Sequence, residues 1–334
     1  MLTILNDIHA GVERVAGTTI ESRYALRQYV IKKFATLLPD NDLMVLGDLL
    51  DSVNVPVADL FAIYNIIREW LLKGHKLYLV AGNHDLSKTS NVMSSFDFLG
   101  ALLKIKDQYD QVQVIKAPVM THYGYVIPHL ANQDLFNAAL KEVPECDTLY
   151  LHCNYDNFFA AQSDQSLNIS VDQAMQSKAK RIVIAHEHQY KSTAKVLLPG
   201  NQITTSVADW QHCKSKWYIK DVGDASYSYK VEPCALRDDE YVEQDWKNLA
   251  VTTHNFVRVI GDATVAESSQ VVTAIAKFRA KSPAFVVSNA VNIESGDGLG
   301  DFANNLEAVT AFDVWKALGE VLLSSDMEIL RGLR

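Results

Sequence analysis

Three things are scarce in this 334-residue chain. No apolar run comes near the roughly 18 residues that a membrane-crossing helix needs, so no membrane span is expected. The four cysteines, Cys146, Cys153, Cys213 and Cys234, show none of the paired spacing of a zinc ribbon or a disulfide framework, and a reducing, cytoplasmic setting is the expectation. Positive charge is also short. The formal net charge is −9, which excludes a surface that grips nucleic acid everywhere. An anionic substrate would have to be drawn by a local site, where bound metal cations are the largest charges. The opening run Met1-Leu2-Thr3-Ile4-Leu5 has no basic flank and leads into an acidic residue, so it reads as a strand and not as a signal peptide. There is no internal repeat and no low-complexity tract. What remains, 48% apolar and 21% charged, is the composition of a globular protein, with length for one large domain and a smaller one.

The organising stretch is Leu46-Gly47-Asp48-Leu49-Leu50-Asp51. It closes the apolar run Leu43-Met44-Val45-Leu46, a buried strand by pattern. Gly47 lets the chain turn, and Asp48 then sits beyond the carboxyl end of the strand, where open α/β sheets bind ligands. The same layout recurs. Leu2–Leu5 leads to Asp7-Ile8-His9, and Leu77–Val80 leads to Gly82-Asn83-His84-Asp85. Between them, Thr18 and Glu21 suggest a capping box for a helix to about Leu38, with Ile20, Tyr24, Val30, Phe34 and Leu37 on its inner face. Pro56 and Gly74 bracket a second helix. This is a βαβαβ pattern with one functional edge.

Further on, Val112–Ile115 and Tyr123–Ile127 read as strands around a turn, and Asn132 caps a helix over about 133–142. Leu149–Leu151 ends in His152, residues 154–179 suggest a loop with one short helix, and Arg181–Ile184 ends in His186-Glu187-His188. Strands at Val196–Leu198, Ile203–Ser206, Trp217–Lys220 and Tyr227–Val231 suggest a second sheet. The expected first domain, 1–236, is therefore α/β, two sheets stacked face to face and flanked by helices. An acidic linker, Asp238 to Asp245, leads to an expected second domain, 237–334. It contains a βαβ unit (Asn255–Ile260, a helix from Ala266 to Lys281, Ala284–Ile293) and then helices from Thr310 and Ser325.

The chemistry lies in the pooled set Asp7, His9, Asp48, Asn83, His152, His186 and His188. Oxygen and imidazole donors in this mix suit divalent ions such as Mn²⁺, Fe²⁺ or Zn²⁺. The set is large enough for two ions sharing Asp48. Two ions about 3.5–4 Å apart can hold the attacking and leaving oxygens of an in-line phosphoryl displacement. His84 follows the donor Asn83 without being needed as a donor, so it is the candidate general acid. Asp51 is the candidate to orient His84 or to support the metal donors.

Asp-x-His, Gly-Asp-x-x-Asp, Gly-Asn-His-Asp, a lone His and His-x-His, in that order, resemble the motif set of calcineurin-like metallophosphoesterases. Asp7-Ile8-His9-Ala10-Gly11, Pro56 soon after Gly47-Asp48-Leu49-Leu50-Asp51, and Pro199-Gly200-Asn201 leading to Thr205-Ser206 look most like SbcD-type DNA-repair nucleases and phage recombination endonuclease subunits. The resemblance implies an αββα metallophosphoesterase sandwich with a small C-terminal α+β capping domain. It implies one metal on Asp7, His9, Asp48 and His188, a second on Asp48, Asn83, His152 and His186, and His84 as the catalytic histidine. It further implies two divalent ions with Mn²⁺ preferred (Mg²⁺, Fe²⁺ or Zn²⁺ as alternatives), DNA as substrate and an SMC-like ATPase partner of the SbcC type. A homodimer is a further expectation, and the cytoplasm that the cysteines suggest would be the host's if the chain is phage-encoded. Ala185 stands where the family has Gly, and an Ala forced to positive φ would cost about 1 kcal/mol.

Three functions follow as expectations: a metal-dependent DNA nuclease, a small-substrate phosphoesterase of the same superfamily, or a DNA-end scaffold without catalysis. Lys178, Lys180, Arg181, Lys191, Lys195, Lys214, Lys216 and Lys220 outnumber Glu187 and Asp209 around the last donors, a phosphate track or scattered surface lysines. Lys277 and Lys281 share a helix face at i and i+4 and are candidate DNA contacts, with Arg279 pointing elsewhere. His129, after Pro128, is a candidate substrate-loop residue.

Overall fold

The computed structural model describes residues 1–13, 17–87, 89, 92–105, 110–157, 166–207 and 240–294, and the backbone of strands at 217–221 and 229–233. The helices expected from Thr310 and Ser325, together with Asp209, Cys213, Lys214, Lys216 and Cys234, lie outside the described residues.

The first sheet is built from β1 (Leu2–Leu5), β2 (Asp42–Leu46), β3 (Leu77–Val80) and β4 (Val112–Ile115). These four are parallel neighbours, linked through α1 (Ile20–Leu37), α2 (Val57–Leu71) and α3 (Ser95–Ile105). The second sheet contains β5 (Val119–Thr121), β6 (Gly124–Ile127), β7 (Cys146–His152), β10 (Ala179–Ala185), β11 (Lys191–Ser192) and β12 (Val196–Leu198), in the order β11-β12-β10-β7-β6-β5. Its outer face carries α4 (Gln133–Lys141) and α5 (Val171–Gln176), and the short pair β8 (Asn154–Tyr155) and β9 (Asn168–Ile169) lies beyond the end of β7.

Side-chain alternation explains why the sheets stack. Leu2 and Ile4 of β1, Met44 and Leu46 of β2, and Tyr78 and Val80 of β3 face one apolar layer. Tyr150 of β7 and Val183 and Ala185 of β10 enter the same layer from the second sheet. The intervening residues, such as Leu43, Val45, Leu77 and Leu79, face α1, α2 and α3. Leu149, Leu151, Ile182 and Ile184 face the helices on the other side. Strands covered on both faces read as continuous apolar runs, as these do. The result is an αββα sandwich.

Several expectations change. The capping box of α1 is Thr19 with Ser22, not Thr18 with Glu21, and Ile20 and Tyr24 are exposed while Leu26, Val30, Ile31 and Phe34 form the inner face. α3 went unread although its start is capped in the usual way: Ser94 Oγ accepts from Asp97 N at 3.1 Å, and Asp97 Oδ2 accepts from Ser94 N at 3.2 Å. β4 and β6 are not a hairpin: β4 closes the first sheet and β6 belongs to the second, paired with β5 on one side and β7 on the other. Ile203–Ser206 is irregular. The strands expected at Trp217 and Tyr227, here β13 (Trp217–Asp221) and β14 (Tyr229–Pro233), extend the first sheet, β13 running antiparallel beside β1. Hydropathy alone cannot say which edge a strand joins.

The acidic stretch after 238 is not all linker. β15 (Tyr241–Asp245) pairs in parallel with β16 (Phe256–Ile260), and β16 with β18 (Val286–Asn289), with α6 (Ser268–Arg279) between the last two. β17 (Asp262–Thr264) and β19 (Asn292–Glu294) form a separate parallel pair. This unit has its own core of Trp246, Val257, Val259, Val271, Ile275 and Phe278. It also docks on α1. Phe256 and Val286 join the apolar cluster under α1, and the Tyr29 ring lies 5.2 Å from Phe285 and 6.1 Å from Phe256, centroid to centroid. Tyr29 Oη donates to Glu240 at 2.8 Å, and Lys33 pairs with the same carboxylate at 3.0 Å. Val287 N donates to Gly17 O at 2.8 Å, on the loop that follows His9. Among the described residues, no helix is long and apolar enough to cross a membrane.

Because Phe256 is fully buried in a cluster shared by both parts, Phe256→Ala should destabilise the protein by about 3–5 kcal/mol. Urea unfolding of the full-length variant measures this; a loss below about 1 kcal/mol would mean the interface repacks freely.

Candidate metal centre

The carboxyl ends of β1, β2, β3, β7 and β10 open on one edge of the sandwich, and the loops there are zipped together. Asp7 N donates to Gly47 O, His9 N to Asp48 O and Ala10 N to Leu49 O, at 3.2, 3.0 and 2.9 Å. The turns are sharp. Asp7, His9, Asp48 and His186 all have positive φ, at 51°, 52°, 49° and 101°. Such conformations cost about 1–3 kcal/mol each outside glycine and persist where surroundings dictate them, commonly at functional sites. The strain expected at Ala185 does not arise there. Ala185 still lies in β10, opposite His152, and the left-handed step falls on His186.

Two glycines permit the closeness. A Cβ on Gly47 would lie 1.9 Å from His152 Nδ1, and one on Gly82 would lie 2.1 Å from Asp48 Oδ1 and 2.4 Å from Asp48 N.

The pooled side chains converge into donor groups. Asp7, His9 and His188 form one; Asp48, His152 and His186 form another. In the first, His9 Nε2 is 3.3 Å from His188 Nε2, while His9 Nδ1 lies 3.2 Å from Asp51 Oδ1. A carboxylate behind an imidazole fixes the ring and leaves the far nitrogen for a cation. The third group, His9, Asp51 and His84, reflects this orienting contact. In the second group, His152 Nδ1 donates to Leu46 O at 3.1 Å, and its Nε2 faces Asp48 Oδ2 at 3.3 Å and Asn83 Oδ1 at 3.0 Å. Asp48 Oδ1 accepts from His84 N at 2.9 Å. His84 Nδ1 donates to the Asp51 carbonyl oxygen at 2.6 Å, so its Nε2 is the end left for chemistry. Asp51 thus touches both His9 and His84, by different atoms.

Charge in this buried edge is tightly balanced. Burial alone would raise the Asp48 carboxyl, but the imidazoles of His152, His9 and His84 outweigh it and hold the group well below the usual carboxylate range. Burial would lower His152, but the Asp48 charge and hydrogen bond prevail and push the imidazole up to about 9. Burial, then the His152 charge, presses His186 down to about 4. The donors fit divalent cations on a separate observation: Asp7 Oδ1 is buried and has no hydrogen-bond partner in the structure. A buried anionic oxygen without a donor is costly unless a cation serves it.

Sequence reading missed three participants. Asp85, fully buried, accepts from Gly82 N at 2.9 Å and Leu50 N at 3.1 Å, tying the Asp48 loop to the Asn83-His84 loop. Its carboxyl is pushed up to about 7 by burial and by Asp48, against those two bonds. Its place in Gly-Asn-His-Asp was the available signal. Asn6 and Gln202, a buried amide pair, gave none, since they meet only in the fold. His129 N donates to Ala81 O, and its ring lies 6.4 Å from that of His152, at the rim of the site. Glu187, between the two histidines, accepts from Tyr155 N at 2.7 Å and is not among the donors. Cys153 is buried in the outer apolar layer, and burial pushes its thiol well up, which suits packing and not nucleophilic attack.

An αββα sandwich with Asp and His donors gathered at its strand ends defines a metal-dependent hydrolase. The chain belongs to the calcineurin-like phosphoesterase family, whose model matches residues 1–190. That family uses dinuclear metal sites, and the clustered Asp and His groups agree with this. No curated protein sequence matches the chain. Among solved structures, it is similar to the phosphopantetheinyl hydrolase PptH from Mycobacterium tuberculosis, at 15% identity and a TM-score of 0.40, covering 68% of this chain and 97% of that one. It is also similar to TT1561 of Thermus thermophilus, at 12% identity and a TM-score of 0.40, covering 70% and 98%.

The close approach at Gly82 can be tested directly. Gly82→Ala should weaken divalent-ion binding by about 10–100-fold, as its Cβ displaces Asp48; calorimetric titration of the purified variant checks this, and wild-type affinity would refute the close approach. In the metal-free protein His152 carries a proton below about pH 9, at the nitrogen that would face a cation. Metal binding near pH 7.5 should therefore release a proton, and apparent affinity should rise with pH and level off above about 9. Calorimetry in buffers of different ionisation enthalpy reads this directly, and a heat independent of buffer would contradict it.

Proposed function

We propose that this chain is a dinuclear-metal phosphodiesterase that cleaves DNA, with Mn²⁺ as its preferred ion. The carrying observation is the pairing of two donor groups, each buried but for one histidine, with His84, whose Nδ1 is tied down and whose Nε2 is left to the substrate. Asp7, His9 and His188 would hold one ion, and Asn83, His152 and His186 the other, with Asp48 between them. When bound, the ions supply charge neutralisation and Lewis acidity for in-line displacement at phosphorus. His9 is aimed by Asp51, His152 by Leu46 O, and both rings keep their Nε2 turned inward. His84, with Nδ1–H engaged by Asp51 O, presents Nε2 to the substrate, and a proton held there would go to the leaving oxygen.

DNA as the substrate rests on the likeness to SbcD-type nucleases and on the second unit, which meets the loop after His9 through Gly17 and Val287. Of the lysines proposed to hold phosphates, Lys277 is exposed on α6, while Lys281 lies two residues past the end of that helix, exposed on the following turn. Arg279, away from those two, is held within the unit. Its Nε and Nη2 both bond Val287 O, at 3.2 and 2.7 Å. A working SMC-like ATPase subunit and a second copy of the chain belong to the same reading.

A small-substrate phosphoesterase is the second reading, and one observation favours it. Basic residues near the last donors are engaged within the chain. Lys180 pairs with Asp147 at 2.6 Å, Lys195 Nζ donates to Met175 O and Ser177 O, and Lys191 lies over the Tyr155 ring. A phosphate track in that segment loses those members.

End-labelled duplex and single-stranded DNA with Mn²⁺, beside a chromogenic phosphodiester, separates the readings. His84→Ser should keep its metal and lose about 10²–10⁴ in rate on any substrate. The Lys277→Ala/Lys281→Ala variant should lose duplex cleavage while keeping the chromogenic reaction, with a salt slope of binding lower by about one unit per lost contact. An unchanged ratio of the two activities would move the small-substrate reading to first place.

A further inference from the structure

One fully buried polar pair takes no part in the reading above. Asn6 and Gln202 come from distant parts of the chain, and both are closed off from solvent. Asn6 N donates to Gln202 Oε1 at 2.8 Å, and Gln202 Nε2 donates back to Asn6 Oδ1 at 3.0 Å. Both side chains also donate to Gly200 O, Gln202 Nε2 at 2.7 Å and Asn6 Nδ2 at 3.1 Å. The second proton on Asn6 Nδ2 goes to Asp7 Oδ2 at 2.5 Å. A primary amide offers two N–H donors and an acceptor oxygen, and here each finds a partner. A closed network of this kind in a buried place is stiff, since any slip leaves a polar group unpaired.

The network bears on one donor group in two ways. Asp7 Oδ2 is held by two donors, Asn6 Nδ2 and His186 N, the latter at 3.1 Å. The carboxylate is thereby turned so that Oδ1, buried and without a hydrogen-bond partner, is the oxygen left for a cation. The same pair bolts the Asp7–His9 segment to the turn at Gly200–Gln202. That turn lies against His188: Asn201 N reaches His188 O at 3.4 Å, and a Cβ on Gly200 would fall 2.7 Å from the same oxygen. Asp7, His9 and His188 are the members of one donor group. The other group, Asp48, His152 and His186, is reached at one remove, through the bond from His186 N to Asp7 Oδ2.

We propose that Asn6 and Gln202 are positioning residues that set the affinity and geometry of the cation held by Asp7, His9 and His188, and not of the cation held by Asp48, His152 and His186. The inference rests on the two-ion reading of the site. It separates the residues from a merely structural role, because general loosening of the fold would weaken both ions together.

The test titrates Mn²⁺ into metal-free full-length protein by calorimetry and records the electron paramagnetic resonance spectrum at one and two equivalents. The wild type should bind two ions and show a spin-coupled pair at two equivalents. Gln202→Met and, separately, Asn6→Ser should each weaken one ion by about 10–100-fold and leave the other within about threefold of wild type. The spectrum at two equivalents should turn into that of isolated Mn²⁺. Circular dichroism and a thermal melt establish which variants fold, and either one alone decides the matter. A folded variant that binds both ions as the wild type does, or loses both to the same extent, overturns the proposal. Wild-type protein that binds fewer than two ions overturns the two-ion reading and the proposal with it, a result distinguishable from failure of the amide pair alone.

Discussion

Asp48 is the constraint on which the rest depends: a buried carboxylate kept charged among imidazoles. Its Oδ1 takes the His84 backbone N–H, its Oδ2 faces His152, and its backbone carbonyl takes His9 N. Each contact fixes a different loop. The side-chain contacts also demand space that only a glycine leaves, at Gly47 for the His152 ring and at Gly82 for the carboxylate. The left-handed steps at Asp7, His9, Asp48 and His186 are the backbone's share of the same cost. The two-sheet core supplies the rigidity that holds these steps in place, because apolar layers packed on both faces of β1, β2, β7 and β10 give the strand ends little freedom.

Much of this was legible before the fold was known, for a physical reason. Strands buried on both faces announce themselves as apolar runs, and polar residues at their ends announce a functional edge. Leu43–Leu46 with Asp48 and Leu77–Val80 with Asn83 and His84 are of that kind, and the structure brings these residues together. What escaped was information carried by distance. β4 and β6 look like a hairpin in sequence and belong to different sheets; β13 and β14 look like companions of β12 and extend the first sheet, β13 beside β1 and β14 beyond it. Asn6 and Gln202 each look like ordinary turn residues. Only their meeting makes them a unit. Arg279 looked idle because its acceptor, Val287 O, lies on the neighbouring strand β18.

The second unit shows the same lesson at larger scale. An acidic stretch suggested a linker, and part of it is β15, a strand in a parallel sheet. The unit lends Phe256 and Val286 to the cluster under α1, and Tyr29 with Glu240 fastens the two parts through one hydrogen bond beside three aromatic rings. A polar bond at the edge of an apolar contact gives direction to an interface that burial alone would leave free to slide. The loop after His9 is therefore held from both ends, by Asp48 at its start and by Val287 near its finish.

β1 precedes every other described strand in the chain and is also one of the last to be paired on both sides. Its outer neighbour is β13, with Thr3 opposite Lys220, so the strand that leads to Asp7 keeps an open edge until a segment far along the chain has been made. Pairing between such distant segments is slow, and unpaired strand edges attract other chains. During synthesis the donors of the first sheet exist before those of the second, but neither cation site is whole until His186 and His188 have emerged. Completing either donor group therefore has to follow the pairing of distant segments, and a folding intermediate with the β1 edge still open is the species exposed to association with other chains.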